Sequence, residues 1–200
     1  HYQYIPAPRT IFRKTYKLLP GHFLLYDGSH LRTEAYWRHP DEKPLPDGMV
    51  DEAEALERLD DLLTQAVSDH LVSDVPLGAL LSGGIDSSMI TAIMQKITPA
   101  PVKTFSIGFK EASYNEAPWA AKVAGHLRTD HTEYYVTPRD AMNIIPRLPE
   151  IYDEPFADAS VIPTVLVSQL TRSNVTVALS GDGGDEQFAG YARYWGTRAM

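Results

Sequence analysis

The sequence contains no cysteine. That excludes disulfides, thiolate metal sites and a cysteine nucleophile anywhere in its 200 residues. It also has no apolar run approaching the length that spans a bilayer, so no membrane partner is expected. The N-terminus, His1-Tyr2-Gln3-Tyr4, carries neither a basic region followed by an apolar stretch nor a cleavage site. The absence of cysteine fits a cytoplasmic protein. An initiator methionine is missing too, and the chain is expected to be an internal piece of something longer. Basic charge is scarce: 18 Lys and Arg face 26 Asp and Glu, for a formal net charge of -8. Such a balance argues against nucleic acid as a partner, because sequence-independent binding rests on cations neutralising phosphates. His22, His30, His39, His126 and His131 lack metal-ligand spacing, which argues against zinc. There is no internal repeat and no low-complexity tract.

What is present is ordinary for a globular chain, with 44% hydrophobic and 22% charged residues. The length allows one buried core and part of another. Residues 22–26 read as a short strand closed by an Asp27-Gly28 turn. Residues 38–48, with Pro40, Pro44 and Pro46, read as a linker. Residues 51–72 read as an amphipathic helix, in which Leu56, Leu59, Leu63, Ala66, Val67 and Leu71 form one buried face. Its first half carries Asp51, Glu52, Glu54 and Glu57, which complement the helix dipole.

Strands and helices then alternate. Strands are expected at 77–82, 102–107, 131–136 and 175–180, and helices at 86–97, 115–127, 138–150 (up to a proline-interrupted end), 160–172 and 184–198. This order predicts an α/β fold, a parallel sheet with helices on both faces. Such sheets bind ligands beyond the carboxyl ends of their strands.

Two strand ends carry chemistry. The first runs into Ser82-Gly83-Gly84-Ile85-Asp86-Ser87-Ser88, where glycines let a ligand approach the backbone. Successive N–H groups and the next helix's dipole make an anion nest. Asp86 would repel phosphates unless a cation lies between, and Mg²⁺ favours carboxylate and phosphate oxygens alike. The bland alternative is a glycine turn with a Ser/Asp helix cap. The lysine of the Walker pattern is absent, so this is not the usual loop for removing a terminal phosphate. The second strand runs into Ser180-Gly181-Asp182-Gly183-Gly184-Asp185-Glu186, whose crowded carboxylates call for a shared cation or proton.

Ser82–Ser88 resembles the pyrophosphate loop of the N-type ATP pyrophosphatases, of the adenine-nucleotide α-hydrolase type. Residues 180–186, together with Asp153–Ser160, Glu116-Ala117-Pro118, Val123-Ala124 and Thr129-Asp130-His131, are similar to the synthetase domain of glutamine-dependent asparagine synthetases. The resemblance covers roughly residues 50–198, and several motifs in order are more specific than any one. Pro6–Phe12 and Leu19–His22 are similar to the last strands of that family's glutaminase domain. The implied domains are a glutaminase remnant at 1–40, a linker at 41–50 and the N-terminal part of the synthetase domain at 51–200.

The resemblance implies that Ser82, Gly83, Gly84, Asp86, Ser87 and Ser88 hold the ATP phosphates. Leu81 and Ile107 would contact adenosine, and Ser180 and Gly181 would contact the nucleotide. Asp86 and Asp185 match magnesium-binding acids, and Asp182 stands where the family usually has a catalytic glutamate. The implied chemistry is adenylation of aspartate or a similar carboxylate, pyrophosphate release, and amide formation with ammonia from glutamine. Homodimerisation of the full-length protein stands as an option. Asp182 and Gly184, in place of the family's Glu and frequent Ser, leave open a related amidotransferase or β-lactam-type synthetase acting on another carboxylate, or a module that only binds nucleotide.

Overall fold

The computed structural model describes residues 3–38, 51–111, 115–192, 194 and 196, so the linker expected at 38–48 lies, beyond Arg38, outside them. The chain forms two compact units. One comprises residues 1–50 and 146–159, the other residues 51–145 and 160–200.

The first unit contains an antiparallel hairpin of β1 (His22–Tyr26) and β2 (Leu31–Ala35). Asp27 shapes its turn, because Oδ1 accepts from the backbone N–H of Ser29 (2.9 Å) and His30 (2.7 Å). Residues 146–159 join this unit through particular contacts. Lys17 Nζ donates to the Ile5 carbonyl at 2.7 Å and pairs with Glu154, and Ala157 N donates to the Gln3 carbonyl. The local sequence pattern does not mark 146–159 as belonging with the N-terminus.

The second unit opens with α1 (Glu52–His70), N-capped by Asp51, whose side chain accepts from Ala53 N. There follow β3 (Leu77–Leu80), α2 (Ile85–Ile97), β4 (Lys103–Phe109), α3 (Ala117–Leu127), β5 (Asp130–Val136) and α4 (Pro138–Ile144). After a 3₁₀ turn at Ile145–Arg147 comes α5 (Leu148–Ile151), in the first unit, then α6 (Val161–Arg172), β6 (Val177–Leu179) and α7 (Gly184–Phe188). The strands are parallel in the order β5-β4-β3-β6. Right-handed crossovers place α2 and α3 on one face; the reversal of strand order across the sheet places α6 on the other. The expected α/β architecture is therefore observed.

Two expectations need correcting. The apolar face of α1 is narrower than its periodicity implies. Leu63, Val67 and Leu71 pack with Ala79, Ile93, Met94 and Val102, but Leu56 is 59% exposed and Ala66 is exposed as well. The reason is length: α1 has 19 residues and α2, which packs along it, has 13. The helix expected over 184–198 breaks after Phe188, where Ala189 takes φ 56 and caps α7. Past that break, residues 193, 195 and 197–200 lie outside the described ones. The proline-interrupted end expected in 138–150 is observed as three short pieces, because Pro146 and Pro149 remove backbone donors.

Candidate functional site

A parallel sheet whose strand order reverses leaves a crevice at the reversal, here between β3 and β6. A cavity of about 730 Å³ lies at the carboxyl ends of β3, β4 and β6. Its wall includes Leu81, Ser82, Gly84, Asp86, Ser87, Ile107, Ser180, Gly181, Asp182 and Asp185. Tertiary structure thus gathers nearly all of the sequence-derived residues in one place.

Gly83 and Ser88 are not on that wall. Gly83 has φ +84, and a Cβ there would sit 2.6 Å from Ala120 N, so this glycine lets the loop cross close over the start of α3. Ser88 Oγ is buried with no hydrogen-bond partner among the described residues. Leu81, 1% exposed, packs its side chain on Ala120 and Ala124.

The first loop is held by its own hydroxyls. Ser82 Oγ and Ser87 Oγ lie 2.8 Å apart, Ser82 N donates to Ser87 Oγ at 3.2 Å, and Gly84 N donates to Ser82 Oγ at 3.2 Å. No side chain caps α2. The cap reading of this loop therefore does not hold, and the first-turn amides of Ile85, Asp86 and Ser87, which no intrahelical carbonyl reaches, are left to another acceptor.

The second loop closes against the first through glycines. A Cβ on Gly181 would sit 2.7 Å from Ser87 N, and one on Gly184 would sit 2.5 Å from Asp86 Cγ. Gly181 thus packs closely on the Ser87 amide, and Gly184 brings the start of α7 beside Asp86, while Asp185 lies on the cavity wall. Gly190 packs on the Asp185 carboxylate. Ser180 Oγ donates to Asp182 Oδ2 at 3.0 Å, which orients that exposed carboxylate, and Tyr191 OH donates to Glu186 Oε1 at 2.8 Å. Among the described residues no group of three or more His, Cys, Asp or Glu side chains converges as a metal site. Asp86 and Asp185 suit a different kind of site, in which carboxylates supply one or two ligands and phosphate oxygens and water the rest.

Residues 58–198 match the family model described as Asparagine synthase. The chain belongs to the asparagine synthase family. It is 43% identical over 191 residues to a putative glutamine-hydrolysing asparagine synthetase 2 of Methanocaldococcus jannaschii, covering 94% of this chain and 36% of that protein. Asparagine synthetase 1 of Bacillus subtilis is 34% identical over 194 residues, covering 96% of this chain and 30% of that protein. Asparagine synthetase B of Escherichia coli is 31% identical over 204 residues, covering 94% and 35%. The chain thus spans about a third of the length of these relatives. Among solved structures, glutamine-dependent NAD+ synthetase of Acinetobacter baumannii in complex with ADP superposes with a TM-score of 0.47 at 24% identity, covering 65% of this chain and 26% of that one.

In this asparagine synthase chain, sequence reading missed part of the wall. Glu116 and Ala117 at the start of α3, Phe105 and Ser106 on β4, and Pro163, Thr164 and Val167 on α6 also line the cavity. Glu116 stands in a motif already singled out, but nothing local ties it to a cavity. The wall of α6 carried no signal, because its residues meet the site only through packing. His131, read as one of several scattered histidines, instead belongs to a buried polar cluster. Nδ1 lies 2.8 Å from Thr104 Oγ1 and Nε2 lies 3.2 Å from Ser106 Oγ. Burial pushes its imidazole below the usual histidine range, against the pull of Glu133, whose Oε1 lies 3.7 Å from Nε2. No described helix is long and apolar enough to cross a membrane.

Proposed function

We propose that this chain carries the ATP-binding half-site of an enzyme that adenylates a carboxylate with release of pyrophosphate and then forms an amide from it. Asparagine synthesis from aspartate, with glutamine as ammonia source, is the reading that family membership favours. The observation that carries it is the convergence of two glycine-acid loops, with Gly181 and Gly184 abutting Ser87 and Asp86. One loop offers open amides at a helix start for phosphates. The other sets Asp182 and Asp185 around the same cavity.

In this reading the β and γ phosphates lie on the first-turn amides of α2. Leu81 and Ile107 border the adenosine. The carboxylate oxygen of the substrate attacks the α-phosphorus and the bond to pyrophosphate breaks. Ammonia then attacks the acyl carbon, the bond to AMP breaks, and Asp182 accepts the proton from nitrogen. Holding both reactants in the cavity supplies much of the acceleration. Asp86 and Asp185 are hard oxygen donors and would hold magnesium. Bound there, the ion neutralises charge developing on the leaving group.

Asp182 in place of glutamate and Gly184 in place of serine favour a second reading, with the same adenylation but a different carboxylate. ATP–pyrophosphate exchange in the protein as its gene encodes it tests both. Exchange with aspartate supports asparagine synthesis. Exchange only with another acid supports the relative, and exchange with no acid across a broad panel removes the adenylation reading.

A further inference from the structure

The cavity wall is apolar where β3, β4 and α3 meet, with Leu81, Phe105, Ile107 and Ala117 contributing. An apolar slot that takes a flat ring needs a few fixed polar groups to orient it. Three polar side chains stand in or beside this part of the wall: Thr164 and Glu116, both exposed, and Ser106, which is 4% exposed. Ser106 is the only one of the three buried before a ligand arrives.

Its hydroxyl is also anchored from behind. Ser106 Oγ contacts His131 Nε2 at 3.2 Å, and His131 Nδ1 contacts Thr104 Oγ1 at 2.8 Å. Thr104, fully buried, lies 2.8 Å from Thr129 Oγ1 in turn. The register of the parallel pair sets this chain, since Thr104 is opposite His131 and Ser106 opposite Glu133. A free hydroxyl rotates and serves donors and acceptors alike. One bound to an imidazole whose other nitrogen is also engaged has its proton or its lone pair committed. With Nδ1–H donating to Thr104, Nε2 accepts the Ser106 proton and the hydroxyl keeps only acceptor lone pairs for the cavity.

We infer that Ser106 is a base-contacting specificity residue for the nucleotide, and that His131 is the positioning residue that fixes its hydroxyl. This rests on the proposed ATP reading. The ligand edge it reads is the hydrogen-bonding edge of the purine, where a 6-amino and a 6-oxo ring present opposite patterns.

The test compares ATP with ITP in pyrophosphate release by the protein as its gene encodes it, using Ser106→Ala, Ser106→Thr, His131→Gln and the Ser106→Ala/His131→Gln double variant. Ser106→Ala is expected to raise KM for ATP about fivefold and to shrink the ATP-over-ITP preference by a similar factor, with a smaller change in kcat. Ser106→Thr, which keeps the hydroxyl, should restore most of both. His131→Gln should act in the same direction in the wild-type background and add little once Ser106 is alanine, because it works through that hydroxyl. An unchanged KM and base preference in Ser106→Ala, with wild-type pyrophosphate release intact, overturns this inference and leaves the adenylation reading standing. An equal effect of His131→Gln in both backgrounds reduces His131 to a packing residue and overturns its positioning role. Absence of nucleotide-dependent pyrophosphate release in the wild type overturns both readings together.

Discussion

The backbone of Gly184 lies directly against the carboxyl group of Asp86, so close that a Cβ would stand 2.5 Å from Cγ and 2.6 Å from Oδ2. This contact joins loops nearly a hundred residues apart and sets the start of α7 beside the Ser82–Ser88 loop.

The two interlocking glycines should differ in how they fail. At Gly181 the obstructing atom is Ser87 N, a backbone atom that cannot turn aside. At Gly184 it is the end of the Asp86 side chain, which can rotate. Gly181→Ala is therefore expected to destabilise by about 1–3 kcal/mol, as overpacking does. Gly184→Ala should cost less stability but re-aim Asp86, raising the magnesium concentration needed for half-maximal pyrophosphate release. Chemical denaturation and a magnesium titration of both variants check this. Equal losses of stability would show that the Asp86 side chain cannot move.

Asp86 and Asp185 should couple nucleotide binding to the cation. Mg-ATP at about 100 times its Kd should stabilise the wild type by about 2.7 kcal/mol. Asp86→Asn or Asp185→Asn should lose most of the extra stabilisation that magnesium gives over ATP alone. Thermal melts with ATP, with and without magnesium, separate the two contributions. Full magnesium-dependent stabilisation in both variants would remove these carboxylates from the metal site.

His131 should make stability fall on the acid side of neutrality. Burial lowers its pKa below the usual 6.5, so as pH drops below that value the unfolded chain takes up a proton that the folded chain resists. Stability is fully present above pH 6.5 and declines as pH falls through the folded pKa. Urea midpoints between pH 8 and pH 5 measure this. His131→Gln should flatten the slope near pH 6, above the range where carboxylates titrate. A wild-type slope in the variant would assign the effect to other groups.

Local cap chemistry offers a test away from the site. Thr137 and Asp140 form a capping box at the start of α4, with Asp140 Oδ2 accepting from Thr137 N (2.8 Å) and from its hydroxyl (2.6 Å). These bonds hold the Asp140 carboxyl below the usual aspartate range. Thr137→Ala should destabilise by about 1 kcal/mol, and Thr137→Ser should restore much of it. Arg128, at φ 58 beyond α3, should gain several tenths of a kcal/mol as glycine, since an L side chain is strained there.

The sequence by itself determined the alternation of strands and helices, and with it the parallel sheet, because periodicity and turn chemistry are local. It also marked Ser82–Ser88 and Ser180–Glu186 as strand-end loops, since glycine and carboxylate together at such places have few structural uses. Tertiary structure decided the rest. Leu56 looks like a core residue by spacing, yet α2 is too short to cover it. Gly83 is marked by sequence as a loop glycine, and only the fold shows that its missing Cβ makes room for Ala120. The α6 wall and the Thr104–His131–Ser106 chain depend on strand register and on which helix crosses which face. Those relations join residues far apart in sequence, and no local pattern records them. The pairing of Gly184 with Asp86 is of the same kind. Each loop was legible alone, but their contact exists only because β3 and β6 are neighbours in the sheet.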